Sequence, residues 1–162
     1  MESYIVINGK KAPLTEEQLK MLGIKMEKES SFARCKDGEE YYYIEYNGDV
    51  CESIERSISS DTECYNVANY CTDENLMQQR AWHETLSRLL WRYSMEHDGD
   101  KIKMSNDVFR YGIKKRQDGT WNTYPTNGKL FGAPMFYGEE IAQNAIKEII
   151  EPFMKEHPDF VW

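Results

Sequence analysis

Apolar and polar positions alternate in short bursts along this chain, and the bursts recur in one order: hairpin, short aromatic segment, amphipathic helix. Tyr4 to Asn8 alternates with a period of two, as a half-buried strand does, and Asn8-Gly9 supplies a turn. Thr15-Glu16-Glu17-Gln18 matches a capping box, in which Thr15 accepts from first-turn amides while Gln18 reaches back. Leu14, Leu19 and Leu22 fall on one side of the helix this predicts, and Gly23 closes it. Glu27 to Lys36 is polar and reads as irregular.

From Tyr41 to Cys51 aromatic and β-branched residues flank Asn47-Gly48, two residues that tolerate φ > 0, and this predicts a tight hairpin with a type I′ turn. A Ser-, Asp- and Thr-rich loop then runs through Thr62, and Tyr65 to Cys71 reads as a short strand. Thr72 is placed to cap a helix over 72–96, with Asp73 and Glu74 in its first turn, where acids complement the helix dipole. Trp82, Leu86, Leu89, Leu90 and Tyr93 recur at i, i+4, i+7, i+8 and i+11 on one face of that helix. It is the longest element and the expected centre of the core.

A second hairpin is predicted from Val108 to Lys115 and Thr120 to Tyr124, with Asp118-Gly119 as its turn. Leu130 to Tyr137 gives one more short strand, placed at an edge by Gly132 and Pro134. Glu139 to Met154 is the last helix, with Ile141, Ala142, Ala145, Ile149 and Phe153 on one face and Pro152 bending its final turns. Asn47-Gly48 aligns with Asp118-Gly119 at an offset of 71, and Asn69-Tyr70-x-Thr72-x-Glu74 with Met135-Phe136-x-Gly138-x-Glu140 at 66. The expected architecture is therefore α+β: antiparallel hairpins packed with amphipathic helices, a weak internal duplication, and one compact domain over 1–162 with sub-units 1–98 and 99–162.

Composition narrows the classes. With 6 Phe, 4 Trp and 11 Tyr among 162 residues the chain has enough large side chains for a packed core, and 30% charged residues keep its surface hydrophilic. No apolar run approaches the roughly 20 residues of a membrane span. Met1-Glu2-Ser3-Tyr4 lacks a basic region and cleavage site, so a cytoplasmic protein is expected. Cys35, Cys51, Cys64 and Cys71 contain no Cys-x-x-Cys pair and read as reduced structural thiols. Charge is uneven: residues 1–98 carry 11 basic and 19 acidic side chains, 99–136 carry 7 and 3, and 137–162 carry 2 and 6. A net charge of −8 repels nucleic acid overall and confines any such binding to the middle of the second half.

Catalytic signatures are sparse. His83-Glu84 opens like a zinc-protease helix, but Ser87 stands where the second histidine belongs. Cys64, Cys71 and His97 match no common zinc spacing. No phosphate-binding glycine loop and no Gly-x-Ser-x-Gly elbow occurs. No enzyme, metal or cofactor is expected from this pattern. The hairpins supply the candidate site instead: Tyr41, Tyr43 and Trp121, with Tyr111, as rings, and Arg110, Lys114, Lys115 and Arg116 as cations. Such a set serves either as a stacking platform for single-stranded nucleic acid or as an aromatic and arginine patch for a protein partner.

Ile7-Asn8-Gly9-Lys10-Lys11 with Leu14-Thr15-Glu16-Glu17-Gln18-Leu19, the Tyr41-Tyr42-Tyr43-Ile44 hairpin, Tyr65-Asn66-Val67-Ala68-Asn69-Tyr70-Cys71-Thr72, Leu76-Met77-Gln78-Gln79-Arg80 and Phe153-Met154-Lys155-Glu156-His157-Pro158-Asp159-Phe160 resemble a family of small prophage and mobile-element accessory proteins of low-GC Gram-positive bacteria. The resemblance implies a non-enzymatic inhibitor of a host defence protein, of the anti-CRISPR kind, acting in the host bacterial cytoplasm. Nucleic-acid binding in phage replication or regulation stands as the alternative, and a homo-oligomer remains open.

Overall fold

The computed structural model describes residues 4–7, 10–15, 18, 21–22, 30–98, 109–127 and 133–161. The chain divides into two compact units, Met1–Ala33 and Arg34–Trp162, and not near residue 98 as the sequence pattern suggested. In the first unit β1 (Tyr4–Ile7) pairs antiparallel with β2 (Lys10–Pro13). Thr15 and Gln18 form the expected reciprocal cap: Thr15 N–H donates to Gln18 Oε1 at 2.8 Å, and Gln18 N–H to Thr15 Oγ1 at 3.3 Å. The rest of the helix predicted there lies largely outside the described residues.

The second unit contains β3 (Glu40–Ile44), β4 (Val50–Ile54), α1 (Ser59–Asn66), α2 (Glu74–Asp98), β5 (Arg110–Lys115), β6 (Trp121–Thr126), α3 (Glu139–Ala145), a π-helical turn (Ile146–Ile150) and α4 (Glu151–Glu156). It is an α+β fold. The two hairpins share one turn geometry. Gly48 N–H donates to Glu45 O and Gly119 N–H to Arg116 O, and Gly48 and Gly119 have φ of +96° and +84°. Asn47 and Asp118 keep negative φ. These are three-residue turns with a left-handed glycine last, in place of the type I′ turn that the Asn-Gly pair suggested. The side chains explain the preference: Asn47 Oδ1 accepts Asp49 N–H at 3.1 Å, and Asp118 Oδ1 accepts Thr120 N–H at 2.9 Å. Each closes a local turn that needs no φ > 0 at its own residue.

After each hairpin the chain returns to pair at one position with the hairpin's first strand, Cys71 with Tyr42 and Phe136 with Tyr111. Two residues later comes the cap of a helix. Asp73 Oδ1 accepts Leu76 N–H and its carbonyl accepts Met77 N–H, so Asp73 caps α2, one position beyond the expected Thr72. Gly138 caps α3. The duplication is therefore real but aligns Cys71, and not Tyr70, with Phe136. The strand expected over Tyr65–Cys71 shrinks to that single bridge, because Asp61 converts the preceding loop into α1: its Oδ2 accepts the N–H groups of Arg56 at 2.9 Å and Ile58 at 3.2 Å.

Helix α2 is the common wall. Met77 and Ala81 pack with Ile44 and Cys71 against the first hairpin, while Leu86, Leu90 and Tyr93 pack with Phe136, Ala142, Ala145, Ile146 and Ile150. One helix thus closes both copies of the repeat, which is why no boundary falls at its end. Pro152 has no N–H for the carbonyl at 148, and its ring would crowd that carbonyl. The turn before it widens, with Glu151 N–H reaching Ile146 O, and the helix continues through the proline. The tail is held too: Gln79 donates through Nε2 to Asp159 O at 2.7 Å and accepts Val161 N–H at 2.8 Å.

Candidate functional site

The second hairpin spreads the expected basic and aromatic residues over both faces. The register pairs Lys115 with Trp121, Ile113 with Thr123 and Tyr111 with Pro125, and at the alternate positions Lys114 with Asn122, Gly112 with Tyr124 and Arg110 with Thr126. Tyr111, Ile113 and Trp121 pack against the core. Arg110 and Lys114 take the opposite face with Tyr124, whose ring lies over Gly112. Each cation covers a ring of its own chain: Arg110 over Tyr137 at 5.1 Å, Lys114 over Tyr124 at 5.5 Å, Lys115 over Trp121 at 5.4 Å. Ring faces occupied this way are not presented for stacking with a base. Arg116 is exposed and opens the turn.

Tyr41 is not a partner contact. It is 2% exposed, stacks on Tyr70 with centroids 4.1 Å apart, and donates to Asp61 Oδ1 at 2.9 Å. Burial, with Asp61 adding, pushes its phenol up to about 12. Every second ring of a half-buried strand faces inward, and α1 covers this one. Tyr43, on the same face, is half-buried and 6.2 Å from Tyr41. These two rings and Trp121 belong to different hairpins and do not form one platform.

Below Tyr41 lies the most chemically dense cluster of the second unit. Arg34 grips the buried Glu55 carboxylate with Nη2 at 2.9 Å and Nε at 3.1 Å. Tyr70 donates its hydroxyl to Glu55 at 2.9 Å, and the Cys35 thiol lies 2.6 Å from that hydroxyl. Ser57, held at φ +56°, adds its N–H to Glu55 at 2.8 Å. The bonds from Arg34 hold the Glu55 carboxyl below its usual range, and burial raises the Tyr70 phenol. Asp61 is lowered as well, chiefly by the Arg56 amide. Glu55 therefore stays charged and Tyr70 stays protonated across the neutral range. The cluster serves as a clasp that ties residues 34–35 to α1 and Tyr70.

The four cysteines are free thiols, and burial raises Cys51 and Cys64. Among the described residues no three His, Cys, Asp or Glu side chains gather as metal ligands. No described helix is long and apolar enough to cross a membrane.

The outward face of α2 holds what the sequence reading missed. Trp91 is 61% exposed, although it sits in the longest helix. An open groove of about 410 Å³ on one side is lined by Ser87, Arg88, Trp91, Ala133 and Pro134. A second of about 370 Å³ is lined by Asn47, Thr85, Arg88, Leu89, Trp91 and Arg92. The first hairpin reaches this face at its tip, where a Cβ on Gly48 would lie 3.0 Å from Thr85 Oγ1. Tyr46 at that tip is 94% exposed, and Met95, one turn beyond Trp91, is also exposed. One signal was present in the sequence: Trp91 falls outside the stripe of Trp82, Leu86, Leu89, Leu90 and Tyr93, between Arg88 and Arg92.

Comparison with protein-family models, curated proteins and solved structures gives no match to this chain.

Proposed function

We propose that this chain is a non-enzymatic binding protein that docks a protein partner on the outward face of α2. The observation that carries the reading is Trp91, exposed between two grooves and bordered by Arg88 and Arg92. Tryptophan, tyrosine and arginine dominate the residues that anchor protein interfaces, and an exposed tryptophan bordered by two arginines and two grooves supplies such an anchor. The partner, on the resemblance to prophage accessory proteins, is a bacterial defence protein met in the host cytoplasm, and the activity is inhibition by occupancy. This moves the contact surface from the hairpin rings to α2. Nucleic-acid binding through Arg116 and the second hairpin is the competing reading, and the neighbouring cations covering their own rings count against it.

The test is expression of the gene in cells carrying active CRISPR or other defence systems, scored by plaque formation or transformation. Rescue by the parent and loss of rescue by a folded Trp91→Ala variant support the proposal. Absence of rescue across a broad panel, together with tight binding of DNA or RNA by the purified protein, replaces it with the nucleic-acid reading.

A further inference from the structure

Resting on that docking face, we infer that the bound segment is an acidic and apolar stretch of protein: an aliphatic or aromatic side chain seated beside Trp91, with carboxylates on Arg88 and Arg92. Arg80, Glu84, Arg88 and Arg92 follow one another at four-residue spacing along α2. Glu84 is shared, bonded to Arg80 at 2.9 Å through one oxygen and to Arg88 at 3.2 Å through the other. A single carboxylate thus answers two guanidinium groups. Arg80 also donates to Ala68 O. Arg92 forms no ion pair among the described residues, and with Glu96 at the next four-residue step the stripe carries three cations against two anions, a local excess of positive charge on a protein of net charge −8.

Local charge of the opposite sign to the whole molecule selects a partner that brings few negative charges at defined positions. A nucleic-acid strand brings a phosphate at every residue and meets the acidic remainder of the surface, whereas two carboxylates flanking an apolar side chain meet only the stripe. The lining agrees. The groove walls at Ala133, Pro134 and Leu89 are carbon, and the polar donors stand on the helix beside them. An apolar anchor is desolvated in the groove while each guanidinium takes a carboxylate with its fork of N–H groups.

The experiment is selection of a random-peptide display library on the full chain, with binding of the selected peptides measured to the parent, to Trp91→Ala and to the charge-swapped Arg88→Glu/Arg92→Glu variant. Circular dichroism confirms that each variant folds. Enrichment of peptides with Asp or Glu beside a large apolar residue is expected. Trp91→Ala should weaken them by at least about tenfold, as truncation of an interface anchor does. Raising salt should weaken them further, and the charge-swapped protein should select basic peptides instead. Trp91-dependent peptides without acidic bias, or an unchanged selection on the charge-swapped protein, overturn the inference and leave the docking face standing. Peptides that bind Trp91→Ala as well as the parent overturn both, as does failure to enrich any. Trp91-dependent binding of a single-stranded oligonucleotide, or Trp91-dependent self-association in sedimentation, overturns the inference in favour of those occupants.

Discussion

Tyr70 donates its hydroxyl to Glu55 at 2.9 Å, and both side chains are buried. Arg34 bonds the same carboxylate from the solvent side. Removing Arg34 leaves the buried Glu55 charge without its cation, held only by the Tyr70 hydroxyl and the Ser57 amide. Arg34→Ala strands Glu55 in the interior, whereas Glu55→Gln leaves Arg34 free to reach water. Urea unfolding should therefore show Arg34→Ala to be the more damaging change. Equal or reversed effects would mean that the clasp is not held together by charge.

The same clasp sets an acid limit. Glu55 and Asp61 both have carboxyl groups lowered in the folded state, so the unfolded chain binds more protons as pH falls. Their contribution is fully present above the unfolded values of about 4 and is lost as pH drops through the lowered folded values. Melting temperature should decline with acidification below about pH 5, and the decline should be shallower in Glu55→Gln. An identical profile in the variant would show that other carboxylates govern acid unfolding.

At the alkaline end the sign reverses. Tyr41 is raised to about 12 in the folded state, so its contribution is complete below pH 10 and is lost between about 10 and 12. Ultraviolet difference titration should show several buried tyrosines, Tyr41 and Tyr70 among them, ionising late, and Tyr41→Phe should reduce the amplitude of that late phase without abolishing it.

Gly112 and Tyr124 make a second coupled pair. A Cβ at position 112 would stand 2.5 Å from Cζ of the Tyr124 ring. Gly112→Ala should cost about 1–3 kcal/mol, the range for overpacking. In the double variant with Tyr124→Ala most of that cost should vanish, since the colliding atoms are gone. A purely additive double-mutant cycle would show that the backbone, and not the ring, rejects the side chain.

Within α2, Leu86 and Trp91 should respond oppositely to truncation. Leu86 is fully buried, and Leu86→Ala should cost about 2–5 kcal/mol. Trp91→Ala should change stability by no more than about 0.5 kcal/mol, as exposed substitutions do. Thermal unfolding of the two variants decides it, and a large loss at Trp91 would make that ring a packing residue.

Much of this fold is local, and the local part was legible. The stripe ending at Tyr93, the shared turns at Asn47-Gly48 and Asp118-Gly119, and the cap joining Thr15 to Gln18 depend on residues within a few positions of one another, where spacing alone decides geometry. Even the duplication was visible, because turns and caps recur at similar intervals. What the tertiary structure decided concerns partners distant along the chain. Arg34 meets Glu55, Tyr41 meets Asp61, and Glu55 answers Tyr70, none within one turn or one ladder step. That network took Tyr41 out of the surface. Likewise, the sequence placed Trp91 off the core stripe of α2, but only packing could show that it stays 61% exposed among the described residues. Helical periodicity states which side chains share a face; whether a face meets protein or water depends on what folds against it.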